Sequence, residues 1–176
     1  MFLILWLRLF DSMKEIEKDQ SVVAAVEEWL QRAAFDYESF LTKFAMKYDI
    51  DTFESNGLFT GACLCEVGAI ALGKAFSEKW QSESYFSRLW IPKIKGIGIK
   101  HTVFMFSDHG EKFLIDGTYR QIDQTGSLLL LIPAETASSR FNFVRAERIS
   151  YEAMMRSIKN YPEEIEKLAC LLVKHM

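Results

Sequence analysis

Residues 98–116, GIKHTVFMFSDHGEKFLID, read as two strands joined by a tight turn. The arm 98–107 is β-branched and aromatic, SDHGE is turn-forming, and KFLID at 112–116 returns as the second arm. With a two-residue turn centred on Asp108–His109, each residue i faces residue 217 − i. His101 then stands directly opposite Asp116, with β-carbons about 5 Å apart on one face. Sliding the turn by one position leaves the two diagonal but on the same face, whereas an odd-length loop without a bulge would part them. A carboxylate beside an imidazole fixes its tautomer and stabilises its charged form. The hairpin therefore offers a general base with its orienting partner.

A nucleophile for that base is offered upstream, in GACLCEVGAIAL at 61–72. The turn-rich segment DIDTFESNGLFTG (49–61) precedes it, and the periodicity predicts a helix from about Ala62 to Lys79. Cys63 then falls in the first turn, where the helix dipole and an imidazolium together favour a thiolate. Gly61 permits a tight approach into that turn, and nearby backbone amides can hold a developing oxyanion. On the same helix Cys65 lies about 200° away from Cys63. It meets the apolar side of Ala69 and Leu72, and is read as a packed core thiol.

The surrounding chain supplies the rest of one domain. Its 176 residues suit a single well-buried core, and 49% apolar with 26% charged content is globular. A net charge of −3 argues against a nucleic-acid surface, and three cysteines without framework spacing favour a reducing compartment. Helices are expected at 13–34, with an apolar stripe of Ile16, Val22, Val23, Val26, Trp29, Leu30 and Ala33 behind a Ser12–Glu15 capping box, and at 36–48. Further strands are expected at 127–133 and 141–150, and helices at 151–160 and 162–175, the last opened by Pro162. Helices followed by an antiparallel sheet define an α+β class. The first ten residues, MFLILWLRLF, are too short to span a bilayer, which takes about 20 residues. They lack the basic start and the cleavage site of a signal peptide. Residues 1–12 are expected to be a dispensable extension, and 13–176 the domain proper.

Several other candidates have plainer readings. His109 belongs to a solvent-facing turn, His175 suits a helix C-terminus, and Cys170 shares an apolar face with Ile165 and Val173. Trp80, Tyr85, Phe86 and Trp90 are read as core aromatics, and Gln121 as structural.

Taken in order, GAC … KHTVFMF … LIDGTYRQ resembles the papain-like superfamily, in particular the compact bacterial effector and toxin domains that include glutamine deamidases and cysteine proteases. In these a G-x-C opens the central helix, the histidine begins a strand and the aspartate ends the next, often as D-x-T-x-x-Q. The resemblance covers residues 56–122 and implies Cys63 as nucleophile, His101 as base and Asp116 as orienter. Gly117 stands where such proteins often have proline. The separations of 38 and 15 residues along Cys63, His101 and Asp116 are close to those of the deamidase branch. A glutamine about six residues before the nucleophile serves the oxyanion in papain-like proteases. Here that place is Gly57, preceded by Asn56, whose amide is the candidate donor; an Asn-Gly pair is also a turn signal.

The resemblance implies a papain-like α+β fold, with the cysteine-bearing helix packed on an antiparallel sheet. It implies no cofactor and no metal. The partner is a protein substrate presenting a glutamine side chain or a peptide bond, with no nucleic acid, no membrane span and an oligomeric state left open. The expected location is the cytoplasm, or the cytosol of a host or target cell after delivery. Three functions stay open: a protein-glutamine deamidase, a protease or transglutaminase-type acyltransferase using the same machinery, and a non-catalytic binding module. A zinc site from Cys63, Cys65, His101 and Asp116 fits poorly, because a C-x-C pair diverges within a helix.

Overall fold

The computed structural model describes residues 21–52, 61, 64–92, 99–158 and 161–176. The expected Ser12–Glu15 cap and the 1–12 extension lie outside them. The first described helix, α1 (Val22–Lys47), runs unbroken where two helices were expected. Between the two no glycine or proline intervenes, and the buried stripe Val26, Trp29, Leu30, Ala33, Tyr37, Leu41 and Phe44 continues through the supposed break. Phe35, which marked that break, is on the outer side and exposed. Helix α2 (Cys65–Lys79) follows.

Five antiparallel strands form one sheet: β1 (Ser84–Ile91), β2 (Ile99–Asp108), β3 (Glu111–Asp116), β4 (Leu130–Pro133) and β5 (Arg145–Ile149), in the order β4-β3-β2-β1-β5. The sequence reading missed β1. Its aromatics alternate between the two sheet faces, so apolar side chains fall on both and the period-2 signal is blurred. β4 and β5 are shorter than expected. Leu128 and Leu129 turn into the core ahead of β4, and Phe141 ends a short helix α3 (Ala137–Phe141) that Asn142 terminates in the left-handed conformation. Helices α4 (Tyr151–Ser157) and α5 (Pro162–Val173) close the chain close to their expected places.

The architecture is α+β, with two buried regions separated by the sheet. Helices α1, α2 and α5 cover one face, where Trp29, Ile70, Leu72, Phe76, Phe104, Phe106 and Leu168 meet. The Trp29 indole donates to the Leu172 carbonyl at 2.9 Å, which ties α1 to α5. A smaller cluster, with Leu89, Val103, Met105, Leu114, Tyr119 and Phe141, fills the other face. β2 is therefore buried on both sides from His101 to Phe106.

Candidate active site

The hairpin turn sits one residue further along than the sequence reading placed it. Asp108 pairs with Glu111, and the two turn residues are His109 (φ 48) and Gly110 (φ 86). A tight hairpin turn of the favoured hand needs left-handed backbone at both positions, which glycine supplies at the second. Asp108 is meanwhile held in the strand. Its carboxylate accepts from the Ser21 hydroxyl at 2.8 Å and the Val23 amide at 3.0 Å, capping α1.

Moving the turn by one makes His101 and Asp116 diagonal rather than opposite, still on one face. The diagonal is bridged: His101 Nε2 lies 2.6 Å from Asp116 Oδ2, and both side chains are fully buried. The second carboxylate oxygen accepts from the Thr118 amide at 2.7 Å. The imidazole stacks on Phe141, ring centres 6.0 Å apart, and its Nδ1 meets the side-chain amide of Gln121. Burial by itself would lower the His101 pKa. The charge and hydrogen bond of Asp116, joined by a smaller contribution from Cys65, overcome that and raise it to about 10. The buried carboxylate thus favours the charged form of the imidazole.

Cys65 departs from its expected place in the core. Helix α2 opens at Cys65, not near residue 62, so Cys65 occupies the first helical position and is half-buried. It lies close enough to His101 to contribute to the raised pKa of that imidazole. Cys63 and Asn56 lie outside the described residues. Gly61, with φ 71, makes the approach that the sequence assigned to it. Its carbonyl accepts from the Leu64 amide at 3.0 Å, and a Cβ there would press on the Thr118 methyl at 2.9 Å. The segment before the helix and the segment after Asp116 are thus packed together. Glu66, in the first turn of α2, pairs with Arg88 of β1 at 2.7 Å. Glu38 of α1 holds Arg120 at 2.6 and 3.2 Å.

One neighbour carried no sequence signal. Tyr37 of α1 sends its hydroxyl between Gly68 and Gly117, and a Cβ on either glycine would overlap it. Burial, then the charges of Asp116 and Cys65, push its pKa well above the usual value. Among the described residues that hydroxyl has no hydrogen-bond partner. Elsewhere, His109 is exposed as expected, and His175 reaches Asp36 at 3.0 Å. Cys170, expected in the core, is exposed. Among the described residues no three histidine, cysteine or acidic side chains gather to hold a metal ion. No described helix is long and apolar enough to cross a membrane.

No family model and no curated protein matches the chain. Two solved structures are similar to it. One is the catalytic domain of the Salmonella virulence factor SseI, at 12% identity and a TM-score of 0.45, over 68% of this chain and 75% of that one. The other is the C-terminal region of Pasteurella multocida toxin, described as having a thiol-protease-like catalytic triad. It matches at 17% identity and a TM-score of 0.40, over 62% of this chain and 18% of the toxin chain.

Proposed function

We propose that the chain is a cysteine-dependent hydrolase of the papain-like effector and toxin type, and that it deamidates glutamine side chains of a protein substrate in a host or target cell. The observation that carries this reading is the buried His101–Asp116 pair at 2.6 Å, with the half-buried Cys65 thiol at the start of α2. With the thiol proton already resting on His101, the sulfur attacks the carboxamide carbon. The imidazolium then protonates the departing ammonia as the thioester forms. Water, losing a proton to His101, cleaves the thioester, releasing glutamate and restoring the thiol. Asp116 keeps the ring oriented and offsets its charge throughout. Its place at the start of α2, near enough for its charge to act on His101 and Tyr37, favours Cys65 as the nucleophile. Cys63, in the G-x-C pattern, is the second reading, and Asn56 the proposed oxyanion donor.

Intact-mass spectrometry after incubation with lysate proteins tests the reaction. A gain of about 1 Da on a substrate protein, accompanied by released ammonia, is the expected result. New termini would assign proteolysis, and cross-links acyl transfer. No change in any protein would leave a binding module and overturn the enzyme reading.

A further inference from the structure

The first turn of α2 is gripped from two sides. On one side a Cβ at Gly68 would overlap the Tyr37 hydroxyl and stand 3.7 Å from the backbone of Gly117, which directly follows β3. On the other, Glu66 pairs with Arg88 of β1 at 2.7 Å, the two side chains only 24% and 22% exposed. Glu66 and Gly68 lie about 200° apart around the helix, so the two grips oppose each other. In the sheet β2 runs between β3 and β1. A helix start held toward both neighbours is centred over β2, the strand that carries His101. The cap residue Leu64 gives that turn no side-chain acceptor, so lateral contacts fix where it lies.

The register sharpens the point. Leu89 of β1 stands opposite His101, and Arg88 opposite Thr102. Arg88 is thus one rung from the base, as Glu66 is one residue from the thiol. We infer that Glu66 and Arg88 are positioning residues for the nucleophile: their ion pair holds the start of α2 over β2 and keeps the Cys65 thiol in reach of His101. This rests on the reading of Cys65 and His101 as nucleophile and base. A partly exposed pair adds little to stability. Position matters more, since a misplacement of about 1 Å can cost about 100-fold in reactivity.

Alkylation of the full chain by iodoacetamide at pH 7, followed at Cys65 by peptide mass, tests this without a substrate. His101→Gln sets the unassisted rate. Arg88→Met should slow Cys65 by about tenfold, and should do nothing further in the His101→Gln background. Glu66→Ala should also slow it, and the two changes together no more than either alone, because they cut one contact. Charge acting directly on the thiol would give opposite signs: loss of the cation slows alkylation, and loss of the carboxylate quickens it. The melting temperature should move by less than about 4 °C in each variant. Opposite signs, an unchanged rate, or equal slowing in the His101→Gln background would each overturn the assignment. A wild-type rate no faster than that of His101→Gln would overturn it together with Cys65 as nucleophile. Should Arg88→Met fail to fold, Glu66→Ala decides, since one first-turn carboxylate contributes little to a helix. Absence of hydrolysis by the wild type, with this pattern intact, would count against the proposed reaction alone.

Discussion

The two sides of the sheet are held by different physics. Under the helices, Trp29, Phe76, Phe104 and Phe106 pack as rings against aliphatic neighbours, and the stabilisation scales with apolar area removed from water. On the other side, Leu89, Val103, Leu114 and Phe141 surround an imidazole and a carboxylate that are wholly buried. There a polar atom without a partner is costly, so each is matched: Asp116 to His101 and the Thr118 amide, His101 to Asp116 and Gln121. The large region tolerates exchange of one apolar group for another. The small one tolerates change only when charges leave in pairs.

Activity should separate the two regions most sharply. His101→Ala should lower the hydrolysis rate by about 10⁴-fold or more, whereas Phe106→Leu should leave the rate of the folded enzyme intact. Cys65→Ala should match His101→Ala, and Cys63→Ala should retain most activity; the reverse pattern would pass the nucleophile's role to Cys63. Stability comes next in size. Asp116→Ala strands a buried cation and should cost about 3–5 kcal/mol by urea unfolding, while the paired change His101→Leu with Asp116→Leu should recover most of it. Equal losses in the single and paired variants would mean that shape, not charge, holds this side.

The hairpin was legible because alternation along residues 98–116 fixes which side chains share a face, and that parity survives a one-residue slip of the turn. The turn itself was misplaced because Asp108 is recruited by α1, a contact 85 residues away in sequence that no local pattern announces. The helix start was misjudged for a related reason. A helical wheel puts Cys65 in line with buried Ala69 and Leu72, but the helix opens at Cys65, and at its end that face is only half covered. Gln121 sits five residues past Asp116, and only the turn between them brings it back to the imidazole. Tyr37 carried no sequence signal; two glycines far along the chain make room for its hydroxyl.

The pairing should also leave a signature in pH. An unfolded imidazole titrates near 6.5, while His101 in the folded chain is raised to about 10. Between those values the folded state keeps a proton that the unfolded state has released. The contribution is therefore fully present below about pH 6.5 and is lost progressively as pH rises toward 10. Urea midpoints should fall from pH 6 to pH 9 in the wild type, and the fall should be much shallower in His101→Gln. Tyr37 titrates above this range and does not blur the comparison. A wild-type midpoint that rose over the interval would mean that His101 is neutral in the folded chain.

The smallest expected effect tests where the two regions meet. Gly68 lies inside α2, where alanine ordinarily stabilises a helix by about 1 kcal/mol. Here the new Cβ would overlap the Tyr37 hydroxyl, and overpacking of that kind costs about 1–3 kcal/mol. Gly68→Ala should therefore lower the melting temperature in the wild-type background. Tyr37→Phe removes a buried hydroxyl with no hydrogen-bond partner among the described residues, so by itself it should be neutral or mildly stabilising. With that oxygen gone, the ring carbon Cζ stands 3.6 Å from the Cβ, an ordinary contact, and Gly68→Ala should turn stabilising in the Tyr37→Phe background. The reversal of sign is the informative quantity, since propensity alone gives the same sign in both backgrounds. Should Gly68→Ala be equally damaging with and without the hydroxyl, the glycine would be serving the approach of the Gly117 backbone, 3.7 Å away, and Tyr37 would be packing rather than setting the spacing beside Asp116.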